Sequence, residues 1–407
     1  MNVAILAIGN EVLCGKIVDT NGAIISREIE RVGAKVVHRE VVLDTVDDIV
    51  LGLRHAYEYA DTVITIGGLG PTVDDLTRIG VAQYFGEELV YDDEIYQQIA
   101  CLFMRMNRSV PENNKRQAYR FAGGTVMDNP NGTAPGLSLE KEGRLIFLLP
   151  GPPNEIFPMF ETDVLPFIKG RIKVPLVHRS YRLYGIGESP AEEKIIHLYE
   201  KYPMLDVAPY CAISYVDYVV SGSESDGAYL DYFEEDFLKL LGEHYVGSAD
   251  VNLNERVVAR LKELNLTIAI AESCTGGMLA ASLVDVPGVS EVFLEGLVVY
   301  SNEAKKLRLG VTSETLEEHG AVSLETAREM VLNLSKQTGA NVGLSITGIA
   351  GPGGGTDEKP VGTVYIGISV DSTIQVVNYH FSGSREKIRE RAMNQALYLL
   401  FKMLKDF

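Results

Sequence analysis

The chain has 407 residues, which at roughly 150 residues per domain corresponds to two or three domains and excludes a single small module. Apolar residues make up 46% and charged residues 23%, the balance of a globular protein rather than of a disordered or collagen-like one. The formal net charge of −19 repels polyanions, so direct binding to nucleic acid or to anionic lipid is not expected, although a local pocket for one small phosphate is compatible with it.

Residues 1–9 are apolar but short and lack a basic leader, so they read as a first strand rather than a signal peptide. No run approaches the roughly 18 apolar residues of a membrane span. The four Cys are scattered without a C-x-x-C pair and the seven His without H-x-x-x-H, which signals neither a disulfide framework nor a zinc site. A reducing cytoplasm is expected.

Apolar runs of about six residues then alternate with amphipathic stretches of about ten to fifteen, the pattern of βαβ units around a parallel sheet. Strands are expected at 3–8, 36–43, 62–66 and 144–149, and helices at 20–31, 46–59 and, following Pro150-Gly151-Pro152-Pro153, to about Lys169. A first domain of residues 1–172 follows. Residues 173–250 hold ten of the 20 Tyr, with strand alternation at 212–220, a turn-rich hairpin tip or loop at 221–227 and a helix at 229–241. This reads as a small α+β linker domain. The strand and helix rhythm resumes over 251–407: helices at 253–264, 276–284, 324–337 and 385–405, and strands at 267–271, 297–300, 342–346, 362–370 and 374–381. The fold class is α/β, with two three-layer α/β/α domains joined by the linker.

Two constellations carry chemistry. The strand 62–66 runs into Gly67-Gly68-Leu69-Gly70-Pro71-Thr72-Val73-Asp74-Asp75, read as a Gly-rich turn and the acidic start of a helix. In open α/β sheets ligands bind at the carboxyl ends of strands, where Gly lets the backbone approach a phosphate. Gly67, Gly68, Gly70 and Thr72 are therefore candidate phosphate-binding residues. The segment is neither G-x-G-x-x-G nor a Walker loop, which disfavours a dinucleotide fold or a P-loop kinase. Asp74 and Asp75 beside a phosphate suggest a divalent cation between them; the alternative is that one of them caps the helix. The loops 9–11, 129–136 and 150–155 could complete the pocket or be plain turns.

The second constellation is the strand 267–271 ending in Glu272-Ser273-Cys274-Thr275-Gly276-Gly277 before a helix. A Ser at such a turn is exposed to substrate and set against helix N-terminal amides that could bind an oxyanion, although Ser is also a common cap and Cys274 is a competing nucleophile. With no His nearby, activation would come from a Lys of lowered pKa, for which Lys305 in Tyr300-Ser301-Asn302-Glu303-Ala304-Lys305 is the candidate. The Gly- and hydroxyl-rich run after Ser345 suggests a cradle for phosphate or ribose.

The segments GNEVLCGKIVDTN, GGLGPTVDDLT, NPNGTAPG and PGPPNE resemble the N-terminal domain of the CinA family, which shares the molybdopterin-binding fold. AESCTGG, YSNEAK, HGAVS, TGIAGPGGG and EKPVGTV, in that order, resemble its C-terminal domain, and YGIGES at 184–189 resembles the start of its KH-like linker. The resemblance implies a bifunctional pyridine-nucleotide recycling enzyme. Its C-terminal domain would hydrolyse the amide of nicotinamide mononucleotide without a metal. Its N-terminal domain would hydrolyse ADP-ribose or a related nucleotide diphosphate with a divalent metal held by Asp75 together with Asp74 and Glu155, and the chain would form a homodimer. Carried over, Ser273 is the nucleophile, Lys305 with Tyr300 manages its proton, the amides around Thr347 and Gly348 hold the oxyanion, and Arg385 contacts substrate or its phosphate. Relatives that handle molybdopterin have Arg where this chain has Asp74, which weakens a pterin role. A competence or recombination protein acting through a protein partner is the alternative from another class.

Overall fold

A computed structural model describes residues 1–172, 174–371 and 373–405. The chain forms two compact units, one of residues Met1–His178 with Gly222–Gly227 and one of Arg179–Ser221 with Ala228–Phe407. The expected break between 172 and 173 falls beside Lys173, which lies outside the described residues.

The first unit is built on a six-stranded sheet. Its strands are β1 (Asn2–Ile8), β2 (Lys35–Val42), β3 (Thr62–Ile66), β4 (Thr125–Met127), β5 (Gly136–Lys141) and β6 (Arg144–Leu149), in the order β2-β1-β3-β6-β5-β4. The first four in that order are parallel, and β5 is antiparallel to both its neighbours. The period-two geometry of β1 sorts its side chains between two cores. Val3 and Ile5 pack with Ile25 and Ile29 of helix α1 (Thr20–Arg31) on one face; Ala4, Leu6 and Ile8 pack with Ile49 and Leu53 of helix α2 (Val46–Tyr59) on the other. Burial on both faces is what makes parallel strands read as continuous apolar runs.

In the second unit, β7 (Leu176–Tyr184), β8 (Asp206–Cys211), β9 (Tyr215–Ser223) and β10 (Tyr245–Gly247) form a sheet in the order β8-β9-β7-β10. The strands expected from the alternation at 212–220 are β8 and β9, which run over 206–211 and 215–223 with 212–214 between them, and Pro209 is tolerated because β8 is an edge. The segment 221–227 is not a hairpin tip; the strand runs on through Ser223, and a short 3-10 turn at Glu224–Asp226 leads into a helix that starts at Gly227. The buried face of β9, Val216, Tyr218 and Val220, packs on Ile195 and Leu198 of helix α4 (Glu188–Lys201) and Phe233 and Phe237 of helix α5 (Gly227–Leu241). The Tyr richness has a structural cause: Tyr218 and Tyr202 bury their rings here and donate their hydroxyls to Glu192 at 3.0 Å and Asp236 at 2.8 Å.

The same unit holds a five-stranded mixed sheet of β11 (Ile268–Glu272), β12 (Phe293–Val298), β13 (Val342–Gly348), β14 (Thr363–Val370) and β15 (Thr373–His380), ordered β12-β11-β13-β14-β15. Helices α6 (Leu253–Glu263), α7 (Met278–Val284), α8 (Asn302–Leu309), α9 (Leu324–Thr338) and α10 (Arg385–Lys405) cover it. Ile268 and Ile270 of β11 face the core shared with α6 and α10, and Ala269 and Ala271 the core shared with α9. The strand expected at 297–300 starts earlier and leaves Tyr300 outside, because Glu295-Gly296 interrupts the apolar run on an edge strand exposed to solvent. Among the described residues no helix is long and apolar enough to cross a membrane.

Candidate active site

β11 is buried along its whole length and delivers Ser273 to the carboxyl end of the sheet, where the Ser273 amide bonds to the Ile346 carbonyl of β13 at 2.9 Å. The chain then turns through Gly276 (φ +63) and Gly277 (φ +94), a left-handed pair that only glycine adopts without strain. Ser301 caps α8, accepting from the Ala304 amide at 3.0 Å, and one turn later Lys305 points inward with 1% exposure. Its Nζ lies 2.9 Å from Ser273 Oγ, 2.9 Å from the Val299 carbonyl and 3.2 Å from the Tyr300 carbonyl.

Among the described residues no carboxylate is an Nζ partner, and burial lowers the Lys305 pKa to about 8. Burial pushes the adjacent Cys274 thiol the other way, up to about 11, so at neutral pH the thiol keeps its proton. The two carbonyls orient the amine. As an ammonium it donates to all three oxygens; as a free amine it keeps two N–H bonds to the carbonyls and turns its lone pair to the Ser273 hydroxyl.

Ser273, Cys274, Tyr300, Lys305, Thr347, Gly348 and Arg385 all border one cavity of about 220 Å³. Tyr300 is 60% exposed, and its phenol accepts from Arg385 Nη2 at 3.1 Å rather than meeting Ser273 or Lys305. Its link to Lys305 is through its backbone carbonyl. Arg385 opens α10 and also donates to the Gly351 carbonyl at 2.7 Å. Thr347 turns its hydroxyl to the Ala321 carbonyl at 2.7 Å, and both Thr347 and Gly348 pair with β14. The expected helix N-terminal oxyanion site at α7 is occupied by protein. Glu272, 1% exposed, accepts from the amides of Gly277 at 3.0 Å, Leu279 at 3.1 Å and Ala280 at 2.8 Å. Sequence reasoning missed Glu272 and also Arg389, which holds the carbonyls of Cys274 at 3.1 Å and Thr275 at 2.7 Å. Their only signals were an acidic residue beside the proposed nucleophile and a second Arg one helical turn after Arg385.

In the first unit, Gly67 (φ +100) and Gly68 (φ +67) shape the loop after β3, and a Cβ on Gly67 would stand 2.5 Å from the Ile8 carbonyl. Helix α3 (Thr77–Phe85) starts two residues after Asp75, so neither Asp opens it. Asp75 folds back to accept from the amides of Gly70 at 2.8 Å and Thr72 at 2.7 Å. The Thr72 hydroxyl lies within reach of both Asp75 and Asp74 and holds the exposed Asp74 carboxyl below its usual range. Glu155 accepts from Asn129 Nδ2 at 2.7 Å. Asp74 and Asp75 are thus tied into their own loop through Thr72 and Glu155 is tied to Asn129 of another, and among the described residues no group of three His, Cys, Asp or Glu is placed to hold a metal ion. Positive charge comes from residues the sequence did not flag. Arg78 is buried, with its pKa lowered to about 10 by that burial, and donates to the Leu69 carbonyl at 2.7 Å; Arg116 donates to the Thr72 carbonyl at 2.7 Å.

The fold and the site define an α/β protein with a buried Ser–Lys pair at a strand-to-helix turn. The profile described as CinA C-terminal domain matches residues 250–404, and that described as probable molybdopterin binding domain matches residues 4–170. A competence-damage inducible protein of Clostridium acetobutylicum is 42% identical over 401 residues, 98% of each chain, and one of Clostridium perfringens strain 13 is 43% identical over 404 residues, 98% of this chain and 97% of its own. A crystal structure of a CinA superfamily protein from Klebsiella pneumoniae 700603 is 35% identical, covering 38% of this chain and 97% of that one, with a TM-score of 0.37. The CinA of Thermoplasma acidophilum is 32% identical over 41% of this chain and 97% of its own, with a TM-score of 0.39. The chain belongs to the CinA family.

Proposed function

We propose that the C-terminal half hydrolyses the carboxamide of nicotinamide mononucleotide to nicotinate mononucleotide and ammonia. The observation that carries this reading is the 2.9 Å contact between Ser273 Oγ and a buried Lys305 amine of lowered pKa, at the floor of a cavity open to a small molecule. The free amine takes the hydroxyl proton as Oγ attacks the carboxamide carbon. The resulting ammonium returns that proton to the departing nitrogen, which leaves as ammonia. Water, deprotonated by the same amine, then cleaves the acyl-enzyme and restores Ser273. Arg385 at the cavity mouth supplies a cation for the phosphate, and the Tyr300 phenol steadies that guanidinium. Ammonia release from nicotinamide mononucleotide, measured for the purified protein and for Ser273→Ala, is the test; activity surviving in Ser273→Ala overturns the mechanism.

For the N-terminal half we propose hydrolysis of ADP-ribose or a related nucleotide diphosphate. Family membership supports this, as do the Gly67–Asp75 loop at the strand ends and the two cations, Arg78 and Arg116, beside it. The carboxylate set expected for a metal does not assemble from Asp74, Asp75 and Glu155, so no step is derived through one. AMP release from ADP-ribose with and without EDTA separates a metal-dependent reaction from a metal-free one.

A further inference from the structure

The turn that presents Ser273 is gripped from two sides by residues outside the cavity. On the amide side, Glu272 places a carboxylate with 1% exposure against three N–H groups of Gly277, Leu279 and Ala280. On the carbonyl side, Arg389 of α10 places two guanidinium nitrogens against the oxygens of Cys274 and Thr275. Neither side chain borders the cavity.

This is more than α7 needs as a cap. A Ser, Thr, Asp or Asn at the N-cap satisfies a helix start at little cost, whereas this helix has seven residues and Gly277 at that position. Among the described residues no cation pairs with the buried Glu272 carboxylate, and three charge-assisted N–H bonds and the helix dipole offset the cost of burying it only while the turn keeps its shape. The carboxylate is also the neighbour of the nucleophile in sequence. Any relaxation of the grip moves Ser273 Oγ relative to a Lys305 amine that is itself held by two carbonyls.

We propose that Glu272 and Arg389 are paired positioning residues that clamp the Ser273 turn from its amide and carbonyl sides and so set the Ser273–Lys305 contact. This rests on the Ser–Lys reading of the site. A displacement on the order of 1 Å at a reacting atom costs about 100-fold in rate. Glu272→Gln puts an amide N–H against backbone N–H groups, and Arg389→Gln leaves at least one carbonyl without its donor, so each variant reports on the clamp independently.

The full chain, as wild type, Glu272→Gln, Arg389→Gln and Ser273→Ala, is assayed for kcat and KM with nicotinamide mononucleotide. The rate at which a fluorophosphonate labels Ser273 is measured alongside, and both are referred to the folded fraction from the unfolding curve. The clamp predicts a kcat lowered about 100-fold in both variants, KM within about twofold of wild type, and a labelling rate that falls in parallel. It is overturned if activity per folded molecule is retained, if losses appear in KM alone, or if the labelling rate is unchanged. Wild-type protein that labels on Ser273 yet releases no ammonia refutes the substrate assignment alone, and the clamp is then judged on labelling rates. Wild-type protein that neither labels nor reacts refutes both.

Discussion

Lys305 makes the sharpest prediction because its environment sets a number. Burial takes its pKa from 10.5 to about 8. At pH 7.5 about a quarter of the protein then carries the free amine, against about one molecule in a thousand for an exposed lysine, a gain of roughly 200-fold in competent base. If the amine is the base, kcat/KM for ammonia release rises about tenfold per pH unit and levels off above a pKa near 8, so at pH 6 it is about 100-fold below the plateau. The same shift has a stability consequence of defined sign. The unfolded chain holds the lysine proton up to about pH 10.5 while the folded chain releases it near 8, so the folded state gains stability as pH rises through that window, by about 3 kcal/mol at most. Lys305→Met removes that gain, and Lys305→Arg, which stays charged, gives inactive protein at every pH. Steady-state rates from pH 6 to 10, with denaturant unfolding of wild type and Lys305→Met at the two ends of the window, test both consequences. A profile flat from pH 6 to 9, or Lys305→Arg with wild-type activity, refutes the assignment.

Cys274→Ala keeps ammonia release within a few-fold of wild type, because a thiol pushed up to about 11 is protonated at neutral pH; loss of activity on the scale of Ser273→Ala would instead make the thiol the nucleophile. Arg385→Ala raises KM for nicotinamide mononucleotide about 10- to 100-fold, the range of a charge-assisted contact, but leaves nicotinamide riboside turnover unchanged; equal effects on both would take the phosphate away from Arg385. Gly67→Ala lowers the unfolding temperature of the first unit, since its Cβ meets the Ile8 carbonyl and its φ is +100. Asp75→Asn costs about 1–3 kcal/mol there by leaving the Gly70 or Thr72 amide without an acceptor; unaltered thermal unfolding would show that the loop does not depend on that carboxylate.

The sequence by itself determined the elements whose physics is local. The bounds of α1, α2, β3 and α10 follow from apolar periodicity and punctuation, because a strand buried on both faces and an amphipathic helix write their burial into consecutive residues. Where an edge strand is half exposed, as in β12 and β8, that signal is broken by residues such as Glu295 and Pro209, and the bounds shifted. Ser273 was legible as a candidate from its turn, and Lys305 from the need for an activating Lys at a strand end followed by a helix start. Tertiary structure alone decided what they do to each other. Thirty-two residues separate them, and only the pairing of β11 with β12 brings the Ser273 turn beside α8, where burial lowers the Lys305 pKa and two carbonyls hold its amine against the Ser273 hydroxyl. The same holds in the negative: the carboxylates expected to bind a metal were chosen by nearness to a Gly-rich turn, and the fold spends them on loop amides and an Asn instead. With a net charge of −19, the local cations are likewise placed by the fold, Arg385 beside the cavity and Arg78 and Arg116 on carbonyls of the Gly-rich loop. A hydrogen-bond partner is a property of three-dimensional neighbours, which residue type and spacing do not encode.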